Sequence, residues 1–447
     1  MGISLSVEEI ANIVEGEVSN KRVTSLINFS RNSFSTDTRT IKQGDIYIPL
    51  KGENFDGENF IEQAVNSGAI GYLYSKKRIN AKIPAIKVDD TKEAYLKLAN
   101  WYRKNINPKV IMITGSSGKT TTKELVYSVI SQKYNTVKTP LNHNNEIGLC
   151  QTIFSMDEST EVLIVEAGMR GLGEIELISK YAEPDISIIT NVGTAHIGRL
   201  GSRENIAKAK CEIVSYQNPK GTLIANDDEI IKNTVKFEGE KCYYSINDVN
   251  IIKKEIGFSE FEYKGNKYLL NIEGDYNIEN ALSAIISGEK LGISYQLIKK
   301  GLENYKPIEK RWEIQNISGY NVINDSYNAN PDSMKATLNT ILDLYSDIVV
   351  VLGDMGELGD QEEEYHKQIG QFINQKNKTK PVILTVGDLS KHISNEIKCC
   401  FTKNFENNES VARYILANIK IGNTIFLKAS RAMKFEEILM YLKGEVK

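Results

Sequence analysis

Residues 110–122 join an apolar run to a loop with two glycines and the pair Lys119 and Thr120. The apolar run is typical of a buried strand, and the apolar positions after the loop repeat with helical spacing. A loop that leads from a strand into a helix points backbone N–H groups and the helix N-terminus at an anion, so such loops bind phosphate. We therefore predict that the chain binds ATP through Gly115, Ser116, Ser117, Gly118, Lys119, Thr120 and Thr121.

The loop is a shortened variant of the usual phosphate-binding pattern, because Ile113 stands where that pattern has its first glycine. The alternative is an ordinary glycine turn between a strand and a helix. The pair Lys119 and Thr120 directly after the second glycine argues against that alternative. In our interpretation the Lys119 ammonium reaches the β- and γ-phosphates, and the Thr120 hydroxyl binds Mg²⁺.

Two further residues lie where predicted parallel strands end. Glu166 closes the apolar run 162–165, and His196 follows the next predicted strand within the polar run 191–196. Open α/β sheets bind ligands at the carboxyl ends of their strands, where a carboxylate can hold Mg²⁺ beside phosphate groups. Taken singly, Glu166 could equally cap a helix and His196 could equally be a core histidine. Their position at consecutive strand ends favours a metal and phosphate site.

Amide side chains are concentrated at two other places. Residues 142–148 form a polar loop with too many amides for a simple connection. Asn277 and Asn280 are one helical turn apart and share a face, from which two amides could bind the edge of an adenine base. Local capping by Asn277 explains the same spacing equally well.

Length and composition describe an ordinary protein of several domains. A chain of 447 residues has room for about two to four domains, and its net charge of −3 provides no basic surface for nucleic acid. No apolar run approaches the roughly 20 residues of a membrane span. The five cysteines lack CxxC spacing and fit a reduced, cytoplasmic environment. With no coiled-coil pattern or apolar seam, we expect a monomer that binds small molecules, with no nucleic-acid partner and no membrane insertion.

The pattern of elements divides the chain at 107/108 and at 309/310. Asn107-Pro108 marks the first boundary, and Lys306-Pro307 with Lys310-Arg311 looks like a second linker. The first segment mixes short helices and strands. The second alternates strands and helices, which predicts a parallel sheet covered on both faces, with strands at 161–166, 185–190 and 221–225 and a hairpin at 258–273. The third repeats this α/β theme, with strands at 321–324, 347–352, 382–386 and 424–427.

Polar turns in the outer segments add further candidates. Arg39 and Lys51 flank a predicted strand and could hold an anionic ligand, although a solvated turn explains them as well. In the run 324–333, Asn330 and Pro331 are explained as the start of a helix. That leaves the rest of the run for a ligand: Asp325, Tyr327 and Asn328.

Taken together, these motifs resemble the Mur ligase family. The resemblance rests on the phosphate loop and on motifs that follow it in order: 142–148, Glu166, 191–196, Ala209-Lys210, and Asn277 with Asn280. The N-terminal Asp37-Thr38-Arg39 and the run 50–57 are also similar to the family. The runs 324–334 and 352–359 look like the member that adds D-alanyl-D-alanine rather than its siblings.

The resemblance implies an α/β fold of three domains. Residues 1–107 would bind a UDP-sugar, 108–309 would form a central P-loop ATPase with a mostly parallel sheet, and 310–447 would form a Rossmann-like domain that closes on ATP and binds a dipeptide. It also implies an enzyme of peptidoglycan synthesis in the bacterial cytoplasm. There the carboxylate of UDP-N-acetylmuramoyl-tripeptide attacks the γ-phosphate of ATP, and the amine of D-alanyl-D-alanine then displaces phosphate from the acyl phosphate. Phosphorylation is needed because a free carboxylate has no good leaving group.

The resemblance implies roles for individual residues as well. Lys119 would stabilise the migrating phosphoryl group, Thr120 and Glu166 would hold one Mg²⁺, and His196 with a carbamylated Lys210 would hold a second. Nucleotide contacts beyond the phosphate loop would come from Asn277, Asn280, Arg311 and Asp325. Substrate contacts would come from Asp37, Thr38, Arg39, Lys51, Asn142, Asn144, Asn145, Tyr327, Asn328, Asn330 and Ser430.

Lys210 is also unusual from its position alone. Ser202 can cap a helix on which Lys210 follows the apolar Ile206 by four residues, so Lys210 points along the buried stripe while Lys208 points away from it. An unpaired buried ammonium is costly. A salt bridge, or extension of the side chain to the surface, would relieve that cost. The carbamate implied by the resemblance would relieve it by turning the cation into an anionic oxygen ligand.

The sequence departs from the family at three positions and leaves competing functions to be tested. Glu58 stands where the family commonly has histidine, and Ala429 and Ala432 replace two glycines of a C-terminal motif. The competitors are a Mur-type amide ligase with another amino-acid substrate, a P-loop kinase or NTPase, and a nucleotide-gated scaffold without turnover. A kinase leaves the N-terminal motif and the run 324–334 unexplained, and the set of metal ligands argues against a scaffold.

Overall fold

The computed structural model describes residues 4–19, 27–28, 34–52, 54–76, 79, 83–141, 143–376 and 380–445. The chain divides into two compact units. The first unit comprises residues 1–112, 134–167 and 177–185, and the second comprises residues 113–133, 168–176 and 186–447. The domain boundaries at 107/108 and 309/310 stay predictions.

The N-terminal part of the first unit is a small α/β fold. Its strands are β1 (Ser4–Leu5), β2 (Glu17–Val18), β3 (Ile27–Asn28), β4 (Phe34–Ser35), β5 (Ile46–Tyr47), β6 (Gly71–Tyr74) and β7 (Ala85–Lys87). Its helices are α1 (Val7–Val14), α2 (Ile61–Asn66) and α3 (Thr91–Ile106), with a 3-10 helix at Gly57–Phe60. A five-stranded sheet has the order β2-β7-β6-β5-β4 and is parallel except at β2. Tyr47, Tyr72 and Ile61 are buried together in its core.

The middle of the chain carries the strands predicted to be parallel. They are β8 (Lys109–Thr114), β9 (Thr136–Lys138), β10 (Val162–Glu166), β11 (Ile186–Ile189), β12 (Thr222–Asn226) and β13 (Glu240–Tyr244). In the first unit β9 and β10 pair in parallel, and in the second unit β11, β12 and β13 pair in parallel in that order. The parallel pairing and the strands predicted at 161–166, 185–190 and 221–225 are therefore confirmed.

Helices alternate with these strands. They are α4 (Lys119–Ile130), α5 (Glu146–Phe154), α6 (Glu174–Ala182), α7 (Ile197–Leu200), α8 (Arg203–Cys211) and α9 (Glu229–Thr234), followed by α10 (Asp275–Lys290) and α11 (Tyr295–Glu303). Short 3-10 helices lie at Glu212–Val214 and Ile246–Asp248. Strands β10 and β11 are entirely buried, and apart from Ser187 their residues are apolar up to the carboxyl end of each strand.

An antiparallel sheet follows, made of β14 (Val249–Glu255), β15 (Phe258–Tyr263) and β16 (Asn266–Leu270). The predicted hairpin is β15 and β16. Lys264 and Gly265 both have positive φ, 50° and 75°, which matches the twist of a tight hairpin turn. Strand β14 was not predicted, because its residues are mostly exposed and carry no buried alternation.

The C-terminal part of the second unit is an open α/β sheet. Its strands are β17 (Glu313–Ile317), β18 (Tyr320–Asn324), β19 (Ile348–Gly353), β20 (Val382–Val386), β21 (Thr402–Phe405) and β22 (Thr424–Lys428), in the order β17-β18-β22-β19-β20-β21. All pairs are parallel except β17 with β18. Its helices are α12 (Pro331–Leu344), α13 (Glu362–Gln375), α14 (Lys391–Glu396), α15 (Asn408–Asn418) and α16 (Glu436–Lys443), with 3-10 helices at Gly359–Gln361 and Arg431–Met433.

The four strands predicted for this segment are confirmed as β18, β19, β20 and β22. The predicted Rossmann-like arrangement agrees with the parallel sheet, and β22 lies between β18 and β19. Among the described residues, no helix is both long enough and apolar enough to cross a membrane.

Candidate active site

The phosphate-loop residues lie between β8 and α4, as the sequence predicted. Gly118 precedes α4 with φ +78°, and a Cβ there would lie 2.6 Å from Asn280 Oδ1. Both the conformation and the close approach therefore require glycine. The N-cap position of α4 is a glycine and makes no side-chain cap, and the positive end of the helix dipole lies beside the loop. Lys119, the first residue of the helix, donates from Nζ to the Gly115 carbonyl at 2.7 Å.

The loop is braced by the turn that follows β11. Asn191 Oδ1 accepts from the Ser117 N–H at 3.0 Å, and Asn191 Nδ2 donates to the Ser117 carbonyl at 3.2 Å. Thr190 Oγ1 donates to the same carbonyl at 2.6 Å. Our sequence-based site residues did not include Asn191, although its place directly after a buried strand marked it. The two hydrogen bonds from the Asn191 side chain to the Ser117 backbone hold the loop in a single conformation.

The two amides predicted to face adenine are buried on α10. Asn277 donates from Nδ2 to the carbonyl of Glu273, the residue before the N-cap of α10, at 2.7 Å. Asn280 accepts at Oδ1 from the Thr122 hydroxyl at 3.1 Å and lies against Gly118. Asn280 is therefore next to the phosphate loop, while the Asn277 amide is bonded to the chain segment that leads into α10. Their adenine contacts stay predictions.

His196 lies at the start of α7 with a left-handed backbone, φ +65°. Its Nδ1 is 2.5 Å from Glu357 Oε2. Burial is the main cause that lowers the pKa of His196 below its ordinary 6.5, and the charges of Lys119 and Lys210 lower it further against the opposing effect of Glu357. The imidazole is therefore kept neutral near neutral pH, which is the form that binds metal ions.

Lys210 is buried on α8, with 1% of its surface exposed, and Lys208 on the same helix is exposed. Ser202 caps α8 as predicted, since its side chain accepts from the Asn205 N–H. The predicted orientation of both lysines is thus confirmed. Burial, followed by the charge of Lys119, lowers the pKa of Lys210 well below its ordinary value. Among the described residues no carboxylate forms an ion pair with Lys210, so the salt bridge considered from the sequence is not made.

Glu166 and the amide loop lie together in the first unit. Glu166 is the last residue of β10 and is buried, and Asn144 Nδ2 donates to its Oε1 at 3.1 Å. The Glu166 N–H donates to the Thr139 hydroxyl. Asn145 caps α5 by accepting from the Gly148 N–H, and Asn142 lies outside the described residues.

Comparison with known proteins covers the whole chain. Three family models match in succession: "Mur ligase family, catalytic domain" at 32–103, "Mur ligase middle domain" at 113–288 and "Mur ligase, glutamate ligase domain" at 310–431. The UDP-N-acetylmuramoyl-tripeptide–D-alanyl-D-alanine ligase of Bacillus subtilis is 38% identical, over 98% of each chain. The chain belongs to the Mur ligase family.

Solved structures agree with this membership. MurF from Acinetobacter baumannii is 27% identical, with a TM-score of 0.88 and 99% of each chain covered. MurF ligase from Thermotoga maritima, solved in complex with ADP, is 26% identical, with a TM-score of 0.83 over 92% of this chain and 97% of that one. A second sequence relative, the UDP-N-acetylmuramoyl-tripeptide–D-alanyl-D-alanine ligase of Escherichia coli, is 30% identical over 99% of each chain. The resemblance recognised from the motifs is therefore confirmed.

In this Mur ligase the N-terminal candidates form a local turn. Arg39 is exposed, pairs with Asp37 at 2.7 Å and lowers the pKa of that carboxyl to about 2. Thr38 is half-buried between them, and Lys51 is exposed beside Asp56 in a short bridge. The Arg39 guanidinium is thus already engaged by the Asp37 carboxylate, and the substrate contacts of these residues stay predictions.

Glu58, which replaces the family's common histidine, is buried in this Mur ligase. Its carboxylate accepts from the Ser75 N–H at 2.5 Å, the Ser75 hydroxyl at 2.6 Å and the Lys76 N–H at 3.2 Å. The side chain therefore anchors the turn after β6. Ala429, in place of a glycine, is fully buried after β22, with its Cβ 2.7 Å from the position a Cβ would take at Gly353.

The C-terminal candidates of this Mur ligase form a cluster after β18 and β22. Asp325 pairs with the buried Lys428 at 2.6 Å, and the Arg311 guanidinium lies 4.1 Å from the centre of the Tyr327 ring. The remaining candidates are an exposed Asn328, a buried Asn330 that caps α12 as predicted, and a buried Ser430 whose N–H donates to the Asp354 carbonyl.

The turn after β19 is held by a buried histidine. His366 accepts at Nε2 from the Met355 N–H at 3.0 Å, and its Nδ1 is 2.6 Å from the Glu362 carbonyl, so the neutral ring carries its proton on Nδ1. Burial lowers the pKa of His366 below its ordinary 6.5. Protonation would place an Nε2–H against the Met355 N–H, and this turn would lose its anchor.

We expect the free energy of unfolding to depend on pH through His366. Because its folded-state pKa lies below the unfolded value, its contribution is present above about pH 6.5 and is lost as the pH falls toward the folded-state value, by up to about 1.4 kcal/mol per pH unit. In denaturant titrations between pH 5 and pH 8, the free energy of unfolding of His366→Gln should fall less steeply with decreasing pH than that of the parent. The difference is the contribution of the one proton that His366 takes up. An identical pH dependence of the free energy of unfolding in the variant and the parent would contradict this role. The contributions of other titrating groups, such as His196, are the same in both proteins and cancel in the difference.

Proposed function

We propose that this Mur ligase joins D-alanyl-D-alanine to UDP-N-acetylmuramoyl-tripeptide at the expense of ATP, giving the UDP-muramoyl-pentapeptide precursor of peptidoglycan. The observation that carries the proposal is the match to the Bacillus subtilis ligase with that activity, which includes 98% of both chains at 38% identity. A match from end to end includes the segment that would bind the incoming dipeptide. A kinase or NTPase would share only the phosphate loop.

The reaction has two steps. In the first, a carboxylate oxygen of the tripeptide attacks the γ-phosphorus of ATP, ADP leaves, and an acyl phosphate forms. In the second, the free amine of D-alanyl-D-alanine attacks the carbonyl carbon, phosphate leaves with the bonding electrons, and the nitrogen loses a proton to give the amide. The chain's task in the first step is to position the reactants and to stabilise negative charge.

Lys119 is the residue that we propose to stabilise the phosphoryl group in transfer. The side chain lies at the N-terminus of α4, where the helix dipole also favours an anion. Its bond to the Gly115 carbonyl would be exchanged for phosphate oxygens. Asn191 would keep the loop in place during that exchange, since its two bonds to Ser117 do not involve Lys119.

The residues present fit Mg²⁺, which would neutralise phosphate charge during transfer. That the Thr120 hydroxyl and the Glu166 carboxylate would hold one ion is proposed from the family resemblance. For a second ion, the lowered pKa of His196 supports a neutral imidazole ligand, and the buried, unpaired amine of Lys210 supports carbamylation to an oxygen ligand. In the described residues no three His, Cys, Asp or Glu side chains form a metal-binding group, so both sites need the hydroxyl or the carbamate.

The rest of the assignment follows the family. We propose three domains divided near 107/108 and 309/310, which the three successive family models support. Arg311, Asp325, Asn277 and Asn280 would contact the nucleotide, and Asn277 would have to release the Glu273 carbonyl to do so. The N-terminal, 142–145 and C-terminal candidates would contact the two other substrates.

We further propose that the enzyme acts as a monomer in the bacterial cytoplasm. All the proposed roles fall on residues of one chain. Each of the described cysteines is free, which supports a reducing compartment.

The proposal predicts that release of ADP and phosphate requires both UDP-N-acetylmuramoyl-tripeptide and D-alanyl-D-alanine. A coupled assay with each substrate omitted in turn, and mass spectrometry of the product, measures this directly. ADP release with neither substrate would favour an NTPase, and product with another amino acid but none with D-alanyl-D-alanine would favour a different amide ligase.

A further inference from the structure

Within the second unit, a short stretch after β11 contacts the first turn of α12 and the turn after β19. Thr194 donates from its N–H and its hydroxyl to Asp332 Oδ2, at 2.6 and 2.7 Å. The Glu357 carboxylate lies 2.5 Å from His196 Nδ1 and 3.6 Å from Arg199 Nε. We call the contacts of Thr194, His196, Gly198 and Arg199 with Asp332, Glu357 and Gly359 the clasp. It brings a carboxylate from the turn after β19 to the predicted metal ligand.

The backbone fixes the position of Glu357 in the clasp. The Gly198 N–H donates to the Glu357 carbonyl at 3.0 Å. A Cβ on Gly198 would lie 2.5 Å from the Gly359 nitrogen, so these two segments of the backbone approach as closely as glycines allow. Such an approach sets the register of the two turns within a fraction of an ångström. The backbone therefore places the Glu357 side chain beside His196, so their contact does not depend on the conformations of mobile surface side chains alone.

Both residues of the pair are held in a conformation that favours glycine. His196 has φ +65° and Glu357 has φ +62°. Left-handed backbone is costly for residues with a Cβ and is concentrated at functional sites. Glycine would relieve the strain at either position but would remove the imidazole or the carboxylate. Two strained residues whose side chains meet point to a role for the pair.

We propose that Glu357 is a positioning residue for His196, an inference that rests on the proposed function. A carboxylate at Nδ1 fixes the ring orientation and the tautomer with the proton on Nδ1, so that the Nε2 lone pair is left for Mg²⁺. The Nδ1–H direction is not yet in line with the carboxylate, since Nδ1 makes no well-directed hydrogen bond to any described residue. With the two atoms already 2.5 Å apart, a change in the torsion angles of the Glu357 side chain would be enough to direct the bond.

The pair links metal binding to the arrangement of two segments. His196 follows a strand of the central segment, whereas Glu357 follows a strand of the C-terminal segment. The imidazole is therefore oriented only while the clasp is formed, and by linkage, metal and nucleotide binding must favour the clasped arrangement to the same extent. The contact joins a neutral imidazole to a partly exposed carboxylate and adds little to the stability of the fold, so we expect its effect on metal affinity instead.

The test measures Mn²⁺ affinity directly, in the full chain with a non-hydrolysable ATP analogue, by electron paramagnetic resonance of free Mn²⁺. Glu357→Gln keeps the size of the side chain and removes its charge. We expect a 10- to 100-fold weaker Mn²⁺ affinity and a lower kcat, with the KM for UDP-tripeptide little changed. Glu364→Gln is the matched control, because Glu364 is exposed on α13 and makes the same change of charge without touching the clasp.

A double-mutant comparison separates positioning from a general effect of charge. If Glu357 acts through His196, Glu357→Gln should have no further effect on Mn²⁺ affinity when His196 is already alanine. Parent-like Mn²⁺ affinity in a folded Glu357→Gln protein, or equal losses with and without His196, would overturn the proposal. Failure of the proposed function would show differently, as a parent enzyme that releases no ADP with both substrates present.

Discussion

Lys119→Ala is expected to lower kcat by about 100-fold or more, with the fold unchanged, in the assay that follows ADP release with both substrates. The lysine is the only cation that the phosphate loop itself supplies, and its charge acts where negative charge spreads over the transferring phosphoryl group. Its bond to the Gly115 carbonyl adds little to stability, because Asn191 and Thr190 brace the same loop independently.

The matched control is Lys208→Ala, which removes an exposed ammonium from α8. It should leave kcat close to that of the parent. The thermal unfolding midpoint of both variants should stay close to the parent value, which excludes loss of fold as the cause. A Lys119→Ala enzyme with nearly the parent rate would refute the phosphate-loop assignment.

Lys210→Ala is expected to be nearly inactive and to recover partly when a small carboxylate such as acetate is added. The physical reason is the environment of the amine. Burial and the charge of Lys119 lower the pKa of the Lys210 amine, which favours the neutral form that reacts with CO₂. The product is an anionic oxygen ligand, and an added carboxylate can occupy the space left by alanine and supply the same charge.

Two measurements decide whether the carbamate exists. Lys208→Ala on the same helix should show neither the loss nor the recovery, because its side chain is exposed. A crystal structure of the ligand-bound enzyme near neutral pH should show density for the carbamate on Nζ; intact-mass analysis is unsuitable because carbamates are lost in acid. An unmodified Lys210 in such crystals, or full activity of Lys210→Ala, would end this assignment.

Several features followed from the sequence alone because their causes are local. The strand, the glycines and the Lys-Thr pair of the phosphate loop are neighbours in the chain, and Gly118 has the positive φ that such a turn requires. The buried position of Lys210 followed from helical spacing relative to Ile206. The capping of α12 by Asn330 followed from the residue types at its first turn. The family resemblance then ordered these motifs into an enzyme.

Other features needed the folded chain. Strands β14 and β17 were not predicted, since their residues are partly exposed and lack the buried runs that mark β10 or β19. The role of Glu58 as an anchor for the turn after β6 depends on residues 17 and 18 positions away. In each case the partner, rather than the residue itself, determines what the side chain does.

The phosphate loop and much of the order of strands and helices followed from the sequence, because periodicity, turn chemistry and motif spacing operate within a few residues. The roles of the reactive side chains stay predictions. The tertiary structure was needed to show that Asn191 braces Ser117 across 74 residues of sequence and that Thr194 meets Asp332 across 138. It was needed equally for the pairing of His196 with Glu357. Contacts of this kind leave no local pattern, since they arise only when strand ends distant in sequence are brought to one place by packing of the core.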